Sequence, residues 1–319
     1  VKNTLQKKHT AIVKRSASRL GFDFCGISKA GKLDSEDGHL DEWLQRGFHG
    51  KMAYMAANKE KRLDPTLLVP GAKSVISLLY NYYPQPQKRN ANGFKVARYA
   101  YGMDYHYVIK DKLMAMLDCL QREIGAVKGR VFVDSAPAME RQWAARSGLG
   151  WIGKNTLLLN RSLGSYFFIA ELIVDIDLDA DPPAGDYCGT CTRCLDACPT
   201  RAFAAPGVLD ASKCISYLTI ELKEEIPDSF VGKMNDWVFG CDICQEVCPW
   251  NRFAKTHDEP LFNMSDGVRQ LMEQGRGQFS IDDFTELFEW SPIKRTKLKG
   301  LQRNIAFAKK IPPLAGSNK

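Results

Sequence analysis

Eight of the ten cysteines fall between positions 188 and 248, and their order constrains this chain more than any other feature. They run Cys188, Cys191, Cys194 and Cys198-Pro199, then Cys214, then Cys241, Cys244 and Cys248-Pro249. The first run is C-x2-C-x2-C-x3-C-P, a spacing that holds one [4Fe–4S] cube and sends its fourth cysteine to a neighbouring cube. The chemistry this implies is low-potential electron transfer.

Each cube needs four thiolates. In the bacterial ferredoxin pattern the last cysteine of one half ligates the cube of the other. Cluster one then takes Cys188, Cys191, Cys194 and Cys248, and cluster two takes Cys198, Cys214, Cys241 and Cys244. Cys214 stands 27 residues before Cys241, where a small ferredoxin has a close triplet. The stretch from Ile215 to Gly240 must therefore loop out and back, covering a bound cofactor or lining the path of incoming electrons. Zinc also uses Cys-x2-Cys pairs, but two Cys-Pro endings in this order are hard to draw from zinc ribbons. Cys25 and Cys119 sit in apolar surroundings and read as core residues. Metal-ligand clustering, rather than disulfide spacing, places the chain in a reducing cytoplasm.

At 319 residues the chain can form about two domains with sizeable cores. No run of 18 apolar residues is available to span a bilayer, so no membrane partner is expected. The basic start, Val1 to Leu20, lacks the apolar stretch of a secretory signal. Net charge is +7 and unevenly spread: residues 1–20 carry six Lys or Arg and no acid, and residues 291–310 carry seven and no acid. Two basic ends on a nearly balanced middle suit a polyanion partner, or are simply solvated surface.

Periodicity and punctuation predict a helix over 4–20, a strand over Phe22–Ser28 and a broken helical region over 40–58. Ser74–Tyr80 reads as a core strand and Tyr82–Asn92 as a polar loop. A helix follows over Asp104–Ile124 with Asp104 as its cap, then a short strand over Arg130–Asp134. Pro137 is expected to open a helix running to Ser147. A further strand covers Tyr166–Val174, and helices follow around 266–273, 281–288 and 298–309. The expected division is an α/β domain over 1–178, a ferredoxin domain with two clusters over 179–255, and a helical tail over 256–319.

Two cubes pass single electrons and handle substrate poorly, so the first domain must hold substrate with a redox cofactor, or dock another enzyme. It has neither G-x-G-x-x-G after a strand nor G-x-x-x-x-G-K-[ST], and the glycine-rich run from Gly148 to Lys154 fits neither spacing. Asp104-Tyr-His106 resembles the start of a cobalamin-ligating D-x-H-x-x-G loop, yet Ile109 holds the glycine position. Asp134 ends a hydrophobic strand, where partial burial would suit it to donate a proton; alternatively it caps a helix before Pro137. His106 reads as a hydrogen-bonded core or rim histidine.

Five stretches together carry a resemblance: Trp43-Leu-x-x-Gly47-x-x-Gly50-x-Met52-x-Tyr54-Met55, Ala97-Arg-Tyr-Ala-Tyr-Gly-x-Asp-Tyr-His106, Val133-Asp-Ser-Ala-Pro-x-x-Glu-Arg141, Ala144-x-x-x-Gly-Leu-Gly-Trp-Ile-Gly-Lys-Asn-Thr156, and the cysteine block with Lys213-Cys-Ile-Ser-Tyr217. The chain is similar to the epoxyqueuosine reductases over residues 4 to 310, most specifically over 133–156. The resemblance implies an α+β fold: a nitroreductase-like, cobalamin-binding α/β domain, a bacterial two-[4Fe–4S] ferredoxin-like domain, and a short tail resembling the start of a HEAT-like repeat. It implies epoxyqueuosine at the wobble position of tRNAs for Tyr, His, Asn and Asp as substrate, and reduction to queuosine with release of water. Electrons from a low-potential donor would pass through the distal and proximal cubes to base-off cobalamin, while Asp134 protonates the departing oxygen. Asp134, Asn155, Ile169 and Ser216 resemble positions around the corrin. The basic tail, with Lys294, Arg295, Lys297, Lys299 and Arg303, then has a partner in the anticodon stem-loop. Longer relatives continue into stacked helical repeats, whereas this sequence stops at Lys319. Nothing requires more than a monomer.

Other readings predict different behaviour. A cobalamin-dependent reductive dehalogenase gives no use for the basic tail. A pure electron carrier would hold cubes without corrinoid, and an RNA-binding protein with structural cubes would bind without turnover.

Overall fold

The structure, a computed structural model, describes residues 2–86 and 93–310, with side chains from Thr4 onward. The end of the loop expected over Tyr82–Asn92 and the end of the tail lie outside the described residues.

Four strands form the central sheet: β1 (Phe24–Lys29), β2 (Ser74–Asn81), β3 (Gly129–Phe132) and β4 (Phe167–Val174), in the order β1-β2-β4-β3. All three pairings are antiparallel, which makes the class α+β. Every residue of β2 is buried, because helices cover both faces of the sheet. On one face Ile76, Leu78 and Leu172 meet Val13 of the Lys2–Arg19 helix and Ile109, Leu113 and Met116 of the Tyr105–Ile124 helix. On the other, Val75, Phe132 and Ile173 pack on Trp143 of the Glu140–Arg146 helix. That second face also carries a polar pair set by register, with Ser77 opposite Glu171. The Ser77 hydroxyl lies 2.9 Å from both oxygens of the fully buried Glu171. Burial, and then the Glu140 charge, push the Glu171 carboxyl well above the usual range.

The long elements follow the sequence signals. Asp104 caps its helix, its carboxylate accepting the His106 N–H at 3.1 Å. The tail helices span Asp266–Met272, Ile281–Phe288 and Lys297–Ala308, and the second begins with a capping box between Ser280 and Asp283. One expectation is corrected: Pro137 does not open a helix, which starts only at Glu140. Residues 133–139 form an irregular loop instead. Its three-residue turns close with Ser135 N–H on the Val133 carbonyl and Ala138 N–H on the Ala136 carbonyl. Asp134 takes a left-handed backbone at φ +51°, which a helix cannot continue from.

The glycine-rich turn is a packing device. A Cβ on Gly150 would lie 2.0 Å from the Leu159 carbonyl oxygen, and one on Gly148 (φ +77°) 2.4 Å from that of Pro182. Only bare backbone passes there.

Beyond the sheet, a second core joins distant parts of the chain. Phe94, Val96 and Tyr101 pack with Phe239 and with Phe288, Ile293, Leu301 and Ile305 of the tail. Lys95–Val96 pairs in parallel with Trp237–Phe239, tying the cysteine-rich insertion to the first half of the chain. The tail is thereby fixed against the site. Among the described residues no helix is long and apolar enough to cross a membrane.

Candidate active site and cluster sites

The eight cysteines gather as two quartets. Cys188, Cys191, Cys194 and Cys248 line a cavity of about 230 Å³ with Lys154, Asn155, Tyr187 and Trp250. The Cys194 thiol is raised by burial and then by Cys248, and Cys248 in turn feels Cys188 and Cys191. Trp151 points its indole N–H at the Cys188 sulfur, 3.4 Å away, and packs edge-on to Trp250. The other quartet sits deeper. Burial dominates the raised thiols of Cys214, Cys241 and Cys244; Cys214 feels Cys198, and Cys241 feels Cys214 and Cys244. Cys244 also feels Cys194 of the first quartet, so the two sites adjoin. Backbone N–H groups point at these sulfurs, from Ser216 and Tyr217 to Cys214 and from Ile243 to Cys241, the donors that tune a cluster's potential.

Arg98 buttresses the inner quartet. Its guanidinium lies 3.0 Å from both Asp242 and Glu246, and its backbone N–H donates to Asp242 at 2.9 Å. Burial lifts the Asp242 carboxyl to about 6 against the pull of Arg98.

Beside this quartet opens a cavity of about 470 Å³ lined by Tyr99, Asp104, Tyr105, His106, Asp134, Ser216, Phe239, Lys294 and Arg295. It contains Asp134, whose side chain is 60% exposed and therefore open to a substrate. The Tyr105 hydroxyl donates to Asp134 Oδ2 at 2.7 Å. The Tyr105 ring is clamped between Phe168 and His106, with centroids 4.1 and 4.2 Å away. Burial and the Asp134 charge hold this phenol far above its usual range, so it stays a donor. His106 Nδ1 lies 2.7 Å from Asp104 Oδ1, and its Nε2 lies 4.0 Å from Asp134 Oδ2. His106 is thus a rim histidine, as its surroundings in the sequence suggest. The helix-capping alternative for Asp134 is not what is found: the Glu140–Arg146 helix has no side-chain cap.

Glu140 holds the loop from the other side, its Oε1 accepting the Asp134 backbone N–H at 2.7 Å. Burial first, then the Asp134 charge, raise Glu140 to about 8. Arg141 donates to the Thr156 carbonyl, and burial lowers its pKa. Across the loop, Met139, Arg141 and Gln142 face a further cavity of about 600 Å³ walled by Trp43, Met52, Met55 and Ile152.

Of the residues singled out from sequence, Asp134, Ser216, Lys294 and Arg295 share one cavity. Lys297, Lys299 and Arg303 line an adjacent one. The Arg303 guanidinium donates to the carbonyls of Leu218 and Leu222 at 2.9 and 2.7 Å. Asn155 and Ile169 do not line the Asp134 cavity: Asn155 belongs to the first quartet's wall, and Ile169 packs beside Leu79 and Leu149. Tyr105 and Glu140 carry the geometry around Asp134, yet neither is given a role by sequence reasoning. Glu140, six residues after Asp134 across a proline, was the available signal.

Residues 187–251 match the family described as "4Fe-4S double cluster binding domain", and residues 62–135 match "Epoxyqueuosine reductase QueG, DUF1730". An epoxyqueuosine reductase of Cyclobacterium marinum is 59% identical over 305 residues, covering 95% of this chain and 97% of that protein. A crystal structure of epoxyqueuosine reductase with a tRNA-Tyr epoxyqueuosine-modified stem loop superposes with a TM-score of 0.88 at 31% identity, covering 94% of this chain and 80% of that one. The Bacillus subtilis epoxyqueuosine reductase, in a structure with its catalytic loop swung out of the active site, gives 0.86 at 30% identity, covering 94% and 81%. Fold and site together define a two-cluster iron–sulfur oxidoreductase with an acid-bearing cavity beside the inner cluster. The chain belongs to the epoxyqueuosine reductase family.

Proposed function

We propose that this chain reduces epoxyqueuosine to queuosine at the wobble position of the tRNAs for Tyr, His, Asn and Asp, removing the epoxide oxygen as water with two electrons and two protons. One observation carries the reading. Asp134, open and aimed by Tyr105, shares a cavity with Ser216 and Phe239, each two residues from a cysteine of the inner quartet.

The residues present fit cobalamin. The apolar walls of Trp43, Met52, Met55 and Ile152 suit the faces of a macrocycle. The buried Nδ2 of Asn155 has no partner among the described residues, and an amide-rimmed cofactor offers one. When bound, cobalamin supplies a strongly reducing centre directed at carbon, and the cubes supply its electrons.

The chain's own residues handle orientation and protons. Tyr105 occupies Asp134 Oδ2 and leaves the other oxygen without a partner among the described residues, free to meet the departing epoxide oxygen. A proton positioned there stabilises charge developing on oxygen, typically worth 10²–10⁴ in rate. His106, steadied by Asp104, stands close enough to pass a proton to Asp134 through a small rotation or one water. Electrons from a low-potential donor arrive at the shallower quartet and pass to the deeper one. In this reading residues 1–178 hold the cofactor, 179–255 the cubes, and 256–319 present the basic tail to RNA, in a monomer working in the cytoplasm.

The test is anaerobic reconstitution with iron, sulfide and cobalamin, then incubation with epoxyqueuosine-containing tRNA and a strong reductant. Nucleoside mass should fall by one oxygen with wild type and not with Asp134→Asn. An unchanged yield without corrinoid rejects the cobalamin assignment, and no yield under any loading rejects the reaction.

A further inference from the structure

The Asp134 cavity has a neighbour of about 320 Å³ that shares two of its wall residues, Ile220 and Arg295. Its other charged lining is Lys223, Lys297, Lys299 and Arg303 against a single acid, Glu225. Counting Arg295, five cations face one carboxylate. Among the described residues, Arg295 alone of the five has an ion-pair partner, Glu221 at 2.7 Å. Arg303 is held by backbone carbonyls, which fix its plane without cancelling its charge. Lys223 donates to the Ile220 carbonyl at 2.7 Å, again a neutral partner. The side chains of Lys297 and Lys299 are exposed and have no ion-pair partner among the described residues. The crowding registers on Lys223, held below its usual range by burial and, against Glu221, by Arg295, Arg303 and Lys297. Cations assembled around a small concavity without counter-charge suit a compact anion with several oxygens.

Its position says which anion. A base and the phosphates of its own nucleotide lie on opposite sides of one sugar. A base inside the Asp134 cavity therefore places a flanking phosphate one side chain away, across Arg295. We propose that this basic cavity is a phosphodiester subsite, in which Lys223, Lys297 and Lys299 hold a backbone phosphate next to the nucleotide whose base enters the Asp134 cavity. The proposal rests on the RNA substrate reading above and adds a register to it. Sequence reasoning assigned the tail lysines to RNA in general; the structure adds Lys223 and ties the group to one position on the strand.

The test uses the fully loaded enzyme and synthetic anticodon stem-loops. Each stem-loop carries one neutral methylphosphonate, moved stepwise through the loop. Wild type should lose affinity by about tenfold at one position flanking the wobble nucleotide and little elsewhere. The Lys297→Gln/Lys299→Gln variant should bind the unmodified loop more weakly, with a shallower salt dependence, and lose nothing further at that position. Unchanged iron content and melting temperature show that the variant is folded. Equal sensitivity of variant and wild type at that position overturns the subsite, as does a wild type insensitive at every position near the wobble nucleotide. Either result, obtained with an enzyme that still reduces epoxyqueuosine in tRNA, leaves the function standing. A wild type that neither binds the loop nor reduces the nucleoside overturns both.

Discussion

The backbone N–H of Asp134 donates to the Glu140 carboxylate at 2.7 Å, so the acid in the cavity is held from behind by a second acid that never enters it. Tyr105 fixes the side chain and Glu140 fixes the backbone. Together they hold a residue in a left-handed conformation that costs of order 1–3 kcal/mol for a non-glycine side chain. Removing the backbone hold should let the loop relax. Glu140→Ala is expected to slow turnover by about tenfold, the loss of one hydrogen bond. Glu140→Gln, which keeps an acceptor oxygen, should recover most of it. Hydrogen exchange at 133–138 should quicken in the alanine variant; equal exchange and equal rates in both variants would refute the latch.

The same glutamate sets a pH dependence. Its carboxyl rises from 4.5 to about 8 on folding. Between those values the folded chain keeps a proton that the unfolded chain has released, so stability is fully present below the lower value and falls as pH rises through the window. Glu140→Gln has no such proton. Melting at about pH 5 and about pH 8.5 should show a larger loss for wild type than for the variant; parallel losses would show that Glu140 is not the group responsible.

Tyr105 is expected to act on rate and not on cluster content. Tyr105→Phe keeps the ring stacked between Phe168 and His106 but removes the donor to Asp134. Turnover should fall by roughly five- to twentyfold while the iron–sulfur absorbance stays at the wild-type level. A variant with full rate would show that Asp134 needs no second anchor.

The quartets should separate by function. Cys244→Ala removes a deep ligand and Cys191→Ala a shallow one, and each should lower iron from about eight to about four per chain. With a small, strong reductant, Cys191→Ala should retain measurable single-turnover reduction because electrons can reach the inner cube directly. Cys244→Ala should not. The reverse order would invert the assignment of inner and outer clusters.

Arg98 is predicted to be a stability residue. Its removal leaves Asp242, only 2% exposed, without its cation, a loss on the order of 3–5 kcal/mol for a buried pair. Denaturant unfolding of Arg98→Ala, compared with Arg98→Ala/Asp242→Asn, measures it. The double variant should recover part of the loss, since it buries no unpaired charge. No recovery would mean that packing, not charge, gives Arg98 its weight.

The two-cluster cysteine spacing, the strands of the sheet and the capped helices were legible in the chain because each depends on local spacing. Cysteines at x2 and x3 intervals are the spacing of a cube-binding run, and a seven-residue stretch rich in strand formers between turn signals has few uses other than a buried strand. Asp134 was legible as a strand-terminal acid. The loop after it was not: Pro137 is as compatible with a first helical turn as with an irregular bend. What goes with the irregular bend is the hydrogen bond that the Asp134 N–H donates to Glu140. That bond is short in sequence but depends on how the Glu140–Arg146 helix is seated against the sheet.

Sequence by itself determined the metal chemistry, the elements and the positive tail, since ligand spacing, periodicity and charge are properties of neighbours along the chain. The tertiary structure alone decided which of those residues meet. Ser216, Phe239 and Arg295 come from an insertion and a tail more than 80 residues beyond Asp134, and they reach its cavity because Phe94, Val96 and Tyr101 bury the same apolar surface as Phe239, Ile293 and Leu301. Burial of apolar area is non-directional, so no local pattern announces which distant surfaces will share it. The packed core supplied that choice, and with it the cavity.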